Sequence, residues 1–404
     1  MTDASNYSLL LDEIAAELDI PPSKYAQAVQ RYTSVGEWLC GDDNSDCMDD
    51  PDVYPQGSFR LGTIVRPLKD GKESDYDIDL VFEIKKEKYA TTSKEIKERV
   101  GTRLNNHGTY RRLLKPEGRR CWTLEYSETD DVGFHLDILP AIPKTPRTGA
   151  IHITHRSGNG TYEWSTSNPK GYAQWFEAKN ITAFITLEKT QKNMLFESNR
   201  ELFSSVDDVP NQLIKTPLQR TIQILKRHRD QRFANHPSHS SKPISMIITT
   251  LAAQLYSNET TTFEALKNIV FKLDAHANLQ QHDFILEKSL ADQKLILRTP
   301  DDKWIIPNPV APEENFADRW HENNHERAKM FFQWVKWVRE DLVDILAKRS
   351  VAQLTESIEP FFGERAVKMA SSRLPFLTAP GIITLIPTNT PHIEITNPPK
   401  PWSK

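Results

Sequence analysis

Tyr76-Asp77-Ile78-Asp79-Leu80-Val81-Phe82 alternates apolar and acidic residues and then turns wholly apolar, the pattern of a strand that enters a core. Successive side chains of a strand point to opposite faces, so Asp77 and Asp79 share one sheet face while Tyr76, Ile78 and Leu80 fill the layer behind. Two like charges held side by side cost free energy unless a cation offsets them. Hard oxygen ligands of this kind suit Mg²⁺ or Mn²⁺ bound partly through substrate phosphates. Taken alone, the D-x-D spacing is more often a solvated strand face than a metal site.

Two further stretches raise its weight. Phe134-His135-Leu136-Asp137-Ile138-Leu139 reads as a second strand with an acid amid apolar alternation, and Asp137 joins the first pair if the two strands are neighbours. Upstream, Gly57-Ser58 offers backbone amides and a hydroxyl to phosphate oxygens, the glycine allowing close approach. A nucleoside triphosphate stretched from those amides to the acids would join the two halves. Ser58 also suits a helix N-cap, worth on the order of 1 kcal/mol. Asp75 has the parity of Asp77, but its place beside Ser74 fits turn capping better. His135 alternates onto the Asp137 face, where a histidine bonded within the sheet is the plainer reading.

Working outward, the first 45 residues read as helices broken at Pro21-Pro22, with Pro22 opening the second. Pro67 to Ser74 reads as a polar protruding connection, Ser93 to Asn105 as a helix, Cys121 to Tyr126 as a strand, and Asp130 to Gly133 as a turn. From about Asn180 the texture becomes helical. Leu218, Ile222 and Leu225 form one apolar stripe, and Ile244 to Leu255 and Phe331 to Leu346 are two more apolar helices. The stretch from Thr378 is rich in proline and reads as extended.

The chain has 404 residues, 38% hydrophobic and 26% charged. It can therefore bury a real core and is neither disordered nor membranous in composition. Its three cysteines, Cys40, Cys47 and Cys121, form no CxxC or Cys/His cluster, which suits a reducing cytosol and argues against structural zinc. The N-terminus lacks a signal-peptide pattern, so the expected location is cytoplasmic. A net charge of −4 does not force bulk nucleic-acid binding. Local basic runs such as Arg111-Arg112 and Lys226-Arg227 read first as solvated faces.

Pro55-Gln56-Gly57-Ser58-Phe59-Arg60-Leu61-Gly62-Thr63, with Asp77-Ile78-Asp79 and His135-Leu136-Asp137-Ile138-Leu139-Pro140, resembles the polymerase-beta-type nucleotidyltransferase signature. More closely, the chain resembles the cGAS/DncV-like bacterial nucleotidyltransferases, the second-messenger oligonucleotide or dinucleotide synthetases of CBASS anti-phage systems. Trp164 to Tyr172, Lys242 to Ser245, and Asn308-Pro309 with Glu314-Asn315 and Trp320 are each similar to a segment of that family. The resemblance covers roughly two thirds of the chain, Tyr54 to Trp320. The gap from Ser58 to Asp77 is longer than the usual motif, which fits a loop extruded at Pro67 to Ser74.

The resemblance implies an α+β fold: a polymerase-beta-like core with a small mixed sheet, plus a mostly helical C-terminal lobe, bilobed with the active site in the cleft. The implied divisions are a catalytic core with its N-terminal helix (1–180), a helical lobe (181–377) and an extended tail (378–404). It implies synthesis of a cyclic di- or trinucleotide from nucleoside triphosphates, ATP with GTP or a pyrimidine triphosphate, and activation of a separate effector. Asp77, Asp79 and Asp137 would be catalytic and hold two Mg²⁺ or Mn²⁺ ions. Gln56, Gly57 and Ser58 would bind nucleotide, and Lys226 would reach the triphosphate. Neither DNA nor a membrane is expected as a partner, while the tail is a candidate docking segment for a protein. The competing readings are a transferase that adds single nucleotides to RNA or protein, and a nucleotide-binding scaffold without turnover. Three intact acids speak against the scaffold, since a pure binder has no use for concentrated negative charge.

Overall fold

The computed structural model describes residues 3–41, 51–66, 68–69, 72–126, 132–144, 149–281, 295–347 and 350–378. The expectations for Cys47, for the first half of the turn at 130–133 and for the tail beyond Thr378 lie outside the described residues.

Two helices open the chain, α1 (Asp3–Glu17) and α2 (Pro22–Cys40). Pro22 stands in the first turn of α2, where its missing N–H breaks no bond, and Gly41 at φ 92° ends the helix. Then follow β1 (Asp52–Gln56), the single turn α3 (Gly57–Arg60), a short hairpin β2 (Leu68–Lys69) and β3 (Lys72–Glu73), and β4 (Tyr76–Glu83). After them come α4 (Ser93–Asn105), α5 (Gly108–Leu113), β5 (Trp122–Tyr126), β6 (Phe134–Pro143), β7 (Ile151–Arg156) and β8 (Tyr162–Ser167). The strand expected at 134–139 thus runs four residues further.

Six of these strands form one mixed sheet in the order β1-β4-β6-β7-β8, with β5 also on β6. β4 and β6 are parallel and every other neighbouring pair is antiparallel. The far edge of β6 is shared. Its first half, 134–138, pairs β5 and its last three residues pair β7. Tyr76, Ile78, Leu80 and Phe82 of β4 are buried with Phe134, Leu136 and Ile138 of β6 against Val35 and Leu39 of α2 and Ile96 and Val100 of α4. Burying such a face is the main stabilising contribution of the sheet, roughly 1.5–3 kcal/mol per large apolar side chain. Trp122 of β5 lies over Gly101, where a β-carbon would come within 2.3 Å of the indole. Its Nε1 donates to the Lys97 carbonyl at 2.9 Å. That contact fixes β5 against α4.

The second half is helical: α6 (Pro169–Ser198), α7 (Pro217–Phe233), α8 (Ser245–Leu255), α9 (Thr262–Asp274) and helices at Glu322–Val338, Val351–Phe362 and Glu364–Ser372. Asn168 caps α6 by accepting from the Gly171 N–H at 2.9 Å, and the helix then runs unbroken through residue 180. The helix expected over 331–346 changes to a π-turn at Arg339–Val343 and a 3₁₀ turn at Asp344–Ala347. Four short strands were not anticipated: Leu297–Arg298 with Trp304–Ile305, and Pro307–Asn308 with Ala311–Asn315. Strands of two to five residues carry too little periodicity to be read. α1 packs with this half, since Tyr7 meets the Phe263 ring at 5.0 Å and donates to the Leu342 carbonyl at 3.0 Å. The architecture is α+β, a small mixed sheet with flanking helices followed by a helical half.

Candidate active site

Parallel pairing of β4 and β6 sets Asp79 opposite Asp137 and Asp77 opposite His135. All four project from the sheet face that α2 and α4 leave uncovered, as the exposure alternation along β4 requires. β5 adds the next column, with Thr123 opposite Asp137 and Glu125 opposite His135. The Thr123 hydroxyl donates to Asp137 Oδ1. His135 lies among three carboxylates: Nδ1 is 3.3 Å from Asp77, and Nε2 is 3.5 Å from Asp75 and 3.4 Å from Glu125. Asp75 also accepts from the Gly133 N–H at 2.8 Å, so it ties the start of β4 to the start of β6.

Burial, and then the charges of Asp137 and Asp77, push the Asp79 carboxyl up to about 7, with Lys226 pulling the other way. Asp77 is raised too, by desolvation first and by Asp137 in addition, while His135 opposes. Its side chain is 70% exposed, so water screens most of that effect. Among the described residues no three carboxylate, imidazole or thiol groups are turned close enough together to hold one ion. Like charges at adjacent register repel, and Asp137 and Asp77 turn instead to Thr123 and His135.

The Gly-Ser pair arrives on β1, where Gln56 stands opposite Asp79. Gly57 has φ +62°, and a β-carbon there would lie 2.5 Å from Asp79 Oδ2. Glycine is needed twice over, for the left-handed turn and for contact with the acid. Gln56 is the N-cap residue of α3 without a side-chain cap bond, and Ser58 lies inside the turn. The N-cap expectation for Ser58 therefore fails, because Gly57 makes the reversal one residue earlier.

The loop after α3 is held by one face of the α7 region. Gln219 donates to the Leu61 carbonyl (2.9 Å), Lys215 to Gly62 (2.7 Å), Lys226 to Thr63 (2.9 Å), Gln223 to Ile64 (2.9 Å) and Arg227 to Arg66 (2.8 Å). Every one of these donors is buried. The Thr63 N–H in turn donates to the Ser58 carbonyl at 2.9 Å. Buried carbonyls left unmatched would each cost about 1–3 kcal/mol, so this ladder fixes the loop and the turn before it. Lys226 does not meet the expectation of an ammonium extended to the substrate. It is 3% exposed, its Nζ is spent on the Thr63 carbonyl and hydroxyl, and burial, with Arg229 adding to it, pushes its pKa down to about 7.

A narrow cleft of about 50 Å³ opens beside Gln56 and Gly57. Ser167, Asn168 and Tyr172 line it from one side, and Asn308, Glu314 and Phe316 from the other. Two segments that the sequence marked separately thus meet at the Gly-Ser turn. Tyr172 shares a hydrogen bond with Thr250 (2.7 Å) and is core, while Trp164 and Trp175 are absent from the cleft lining. Sequence reasoning missed Thr123, Lys215, Gln219 and Gln223. The one available signal was the polar spacing 219, 223, 226 on a helix whose opposite stripe is apolar, continued back to Lys215 just before its N-cap.

Residues 1–180 match the profile of the Second Messenger Oligonucleotide or Dinucleotide Synthetase domain. The chain is 29% identical over 350 residues to a c-di-GMP synthase of Roseivirga ehrenbergii, covering 86% of this chain and 81% of that one. It is 23% identical over 337 residues to the cyclic dinucleotide synthase CdnG of Bradyrhizobium diazoefficiens, covering 78% and 70%. The solved structure of the Bradyrhizobium diazoefficiens CD-NTase CdnG in complex with GTP shares the fold at a TM-score of 0.68 and 22% identity, over 91% of this chain and 99% of that one. Escherichia coli DncV, solved with 3′-deoxy GTP, is similar in fold at a TM-score of 0.50 and 16% identity, over 91% and 89%.

Proposed function

We propose that this chain, whose residues 1–180 match the second-messenger synthetase domain, is a nucleotidyltransferase of the cGAS/DncV-like type and joins nucleoside triphosphates into a cyclic di- or trinucleotide with release of pyrophosphate. The names of both curated relatives favour the dinucleotide. The product would then activate a separate effector in anti-phage defence.

One observation carries the reading: Asp79 faces Asp137 across two parallel strands, and Gly57 backs onto the same carboxylate. Asp77, Asp79 and Asp137 fit Mg²⁺ or Mn²⁺ because they are hard oxygen donors, and because the elevated Asp79 carboxyl marks negative charge that lacks a full counterpart. Two ions held there would supply positive charge that sharpens a ribose hydroxyl and steadies the departing pyrophosphate. Thr123 donates to Asp137 Oδ1, and the Asp137 carboxylate would receive the proton of the hydroxyl. The amides of Gly57 and Ser58, with the Ser58 hydroxyl and Gln56, would grip the phosphates. Lys226 acts one step back, by holding Thr63 and by lending its charge to Asp79. Residues 1–180 form the catalytic core of this scheme and 181–377 the helical part that closes on nucleotide, with a cytoplasmic location. Among the described residues no helix is long and apolar enough to cross a membrane.

Purified protein is incubated with labelled triphosphates and Mg²⁺, with and without duplex DNA. A phosphatase-resistant small product, formed equally without DNA, supports the reading. Label on RNA or on protein would favour the single-nucleotide transferase instead.

A further inference from the structure

The cleft beside Gly57 is lined by two charged groups, Arg60, which pairs with Glu177 at 2.7 Å, and Glu314, its one acid. Its Oε2 accepts from Asn308 Nδ2 at 2.8 Å, and Ser167 donates to it as well. Asn308 is itself fixed, being 2% exposed and accepting from the Val310 N–H at 3.0 Å. A carboxylate has about four acceptor positions; Asn308 and Ser167 fill two of them, and Glu314 lines the cleft. Burial raises the Glu314 carboxyl in spite of those two donors and of the nearby Arg120, the behaviour of an acid still short of donors. Phe316, two residues further along the chain, lines the same cleft.

Resting on the reading of this cleft as the site of nucleotidyl transfer, we propose that Glu314 selects guanine, accepting hydrogen bonds from the N1–H and the N2 amino group of a GTP base. Guanine is the one base with two adjacent donors on its Watson–Crick edge. Adenine turns the N1 lone pair toward a carboxylate, cytosine its N3 lone pair, and uracil flanks its single N–H with two carbonyl oxygens. A site built to hydrogen-bond a partner discriminates strongly against a base that leaves its acid unmatched. Asn308 and Ser167 are positioning residues here, holding the carboxylate at the angle the base requires.

The experiment measures binding of GTP, ATP and inosine triphosphate to the full chain and to Glu314→Gln, independently of turnover. The wild type should bind GTP roughly ten- to a hundredfold more tightly than ATP, the usual value of a two-bond base contact. Glu314→Gln should bring the two within about threefold. Inosine triphosphate lacks only the N2 amino group and should bind the wild type about tenfold more weakly than GTP, a comparison that survives even if the variant fails to fold. Equal affinities for GTP and ATP, or an unchanged ratio in a folded Glu314→Gln, would overturn the assignment. A wild type that prefers GTP but forms no product would leave it standing and overturn the synthetase reading instead.

Discussion

Gly57 and Asp79 occupy one another's space: a β-carbon on Gly57 would lie 2.5 Å from Asp79 Oδ2, at a backbone φ of +62°. The turn that would hold phosphate and the strand that would hold metal are therefore a single unit, and a change to one moves the other.

Gly57→Ala tests that coupling. The left-handed backbone costs an L-residue about 1–2 kcal/mol, and the new methyl must displace the carboxylate. Product formation should fall about a hundredfold, with a lowered melting temperature. Wild-type turnover in the variant would show that the contact is incidental.

Asp77→Asn and Asp79→Asn should each reduce synthesis at least about a hundredfold with the fold retained by circular dichroism. The melting temperature of Asp79→Asn in divalent-free buffer should not drop, since asparagine removes a carboxylate that burial and two neighbouring acids already disfavour. Retained synthesis in either variant would remove these acids from the chemistry.

Thr123 reaches the reaction only through Asp137 Oδ1. Thr123→Val should raise the Mg²⁺ concentration needed for half-maximal activity by about 10- to 100-fold, the usual cost of removing a group that orients a ligand, and Thr123→Ser should restore it. An unchanged Mg²⁺ dependence in the valine variant would make the hydrogen bond merely structural.

Lys215 gives a pH signature. Burial pushes its pKa from 10.5 down to about 8, so the native state prefers the neutral amine. A group depressed in this way contributes its stability fully above the unfolded value and loses it as pH falls through 8. The wild type should therefore lose stability relative to Lys215→Met between pH 10 and pH 7, by on the order of 3 kcal/mol at most. Urea unfolding at four pH values measures it, and a constant difference would contradict the buried placement.

Much of this was readable in the chain. The alternation 76–82 fixes which side of β4 carries acid, since period two leaves no freedom, and Gly57 announces itself by lying where backbone must approach a ligand. Helix starts were legible for the same local reason, as Pro22 and the helix opening at Ser93 illustrate. What was not legible is cross-strand register. Thr123 becomes a partner of Asp137 only through the β5–β6 pairing, which a separation of fourteen positions does not encode locally. The α7 ladder was missed because Lys215, Gln219, Gln223 and Lys226 look like a solvated face. Only a second segment, 61–66, whose carbonyls accept from that face, turns it inward. The short strands around Asn308 and Glu314 fell below the length at which periodicity speaks.

The most direct test of the central claim is anomalous scattering from Mn²⁺ in crystals grown with a non-hydrolysable triphosphate. The account predicts manganese peaks ligated by Asp77, Asp79 and Asp137 together, with phosphate oxygens against the Gly57 and Ser58 amides. Manganese bound elsewhere, or held without Asp137, would contradict it.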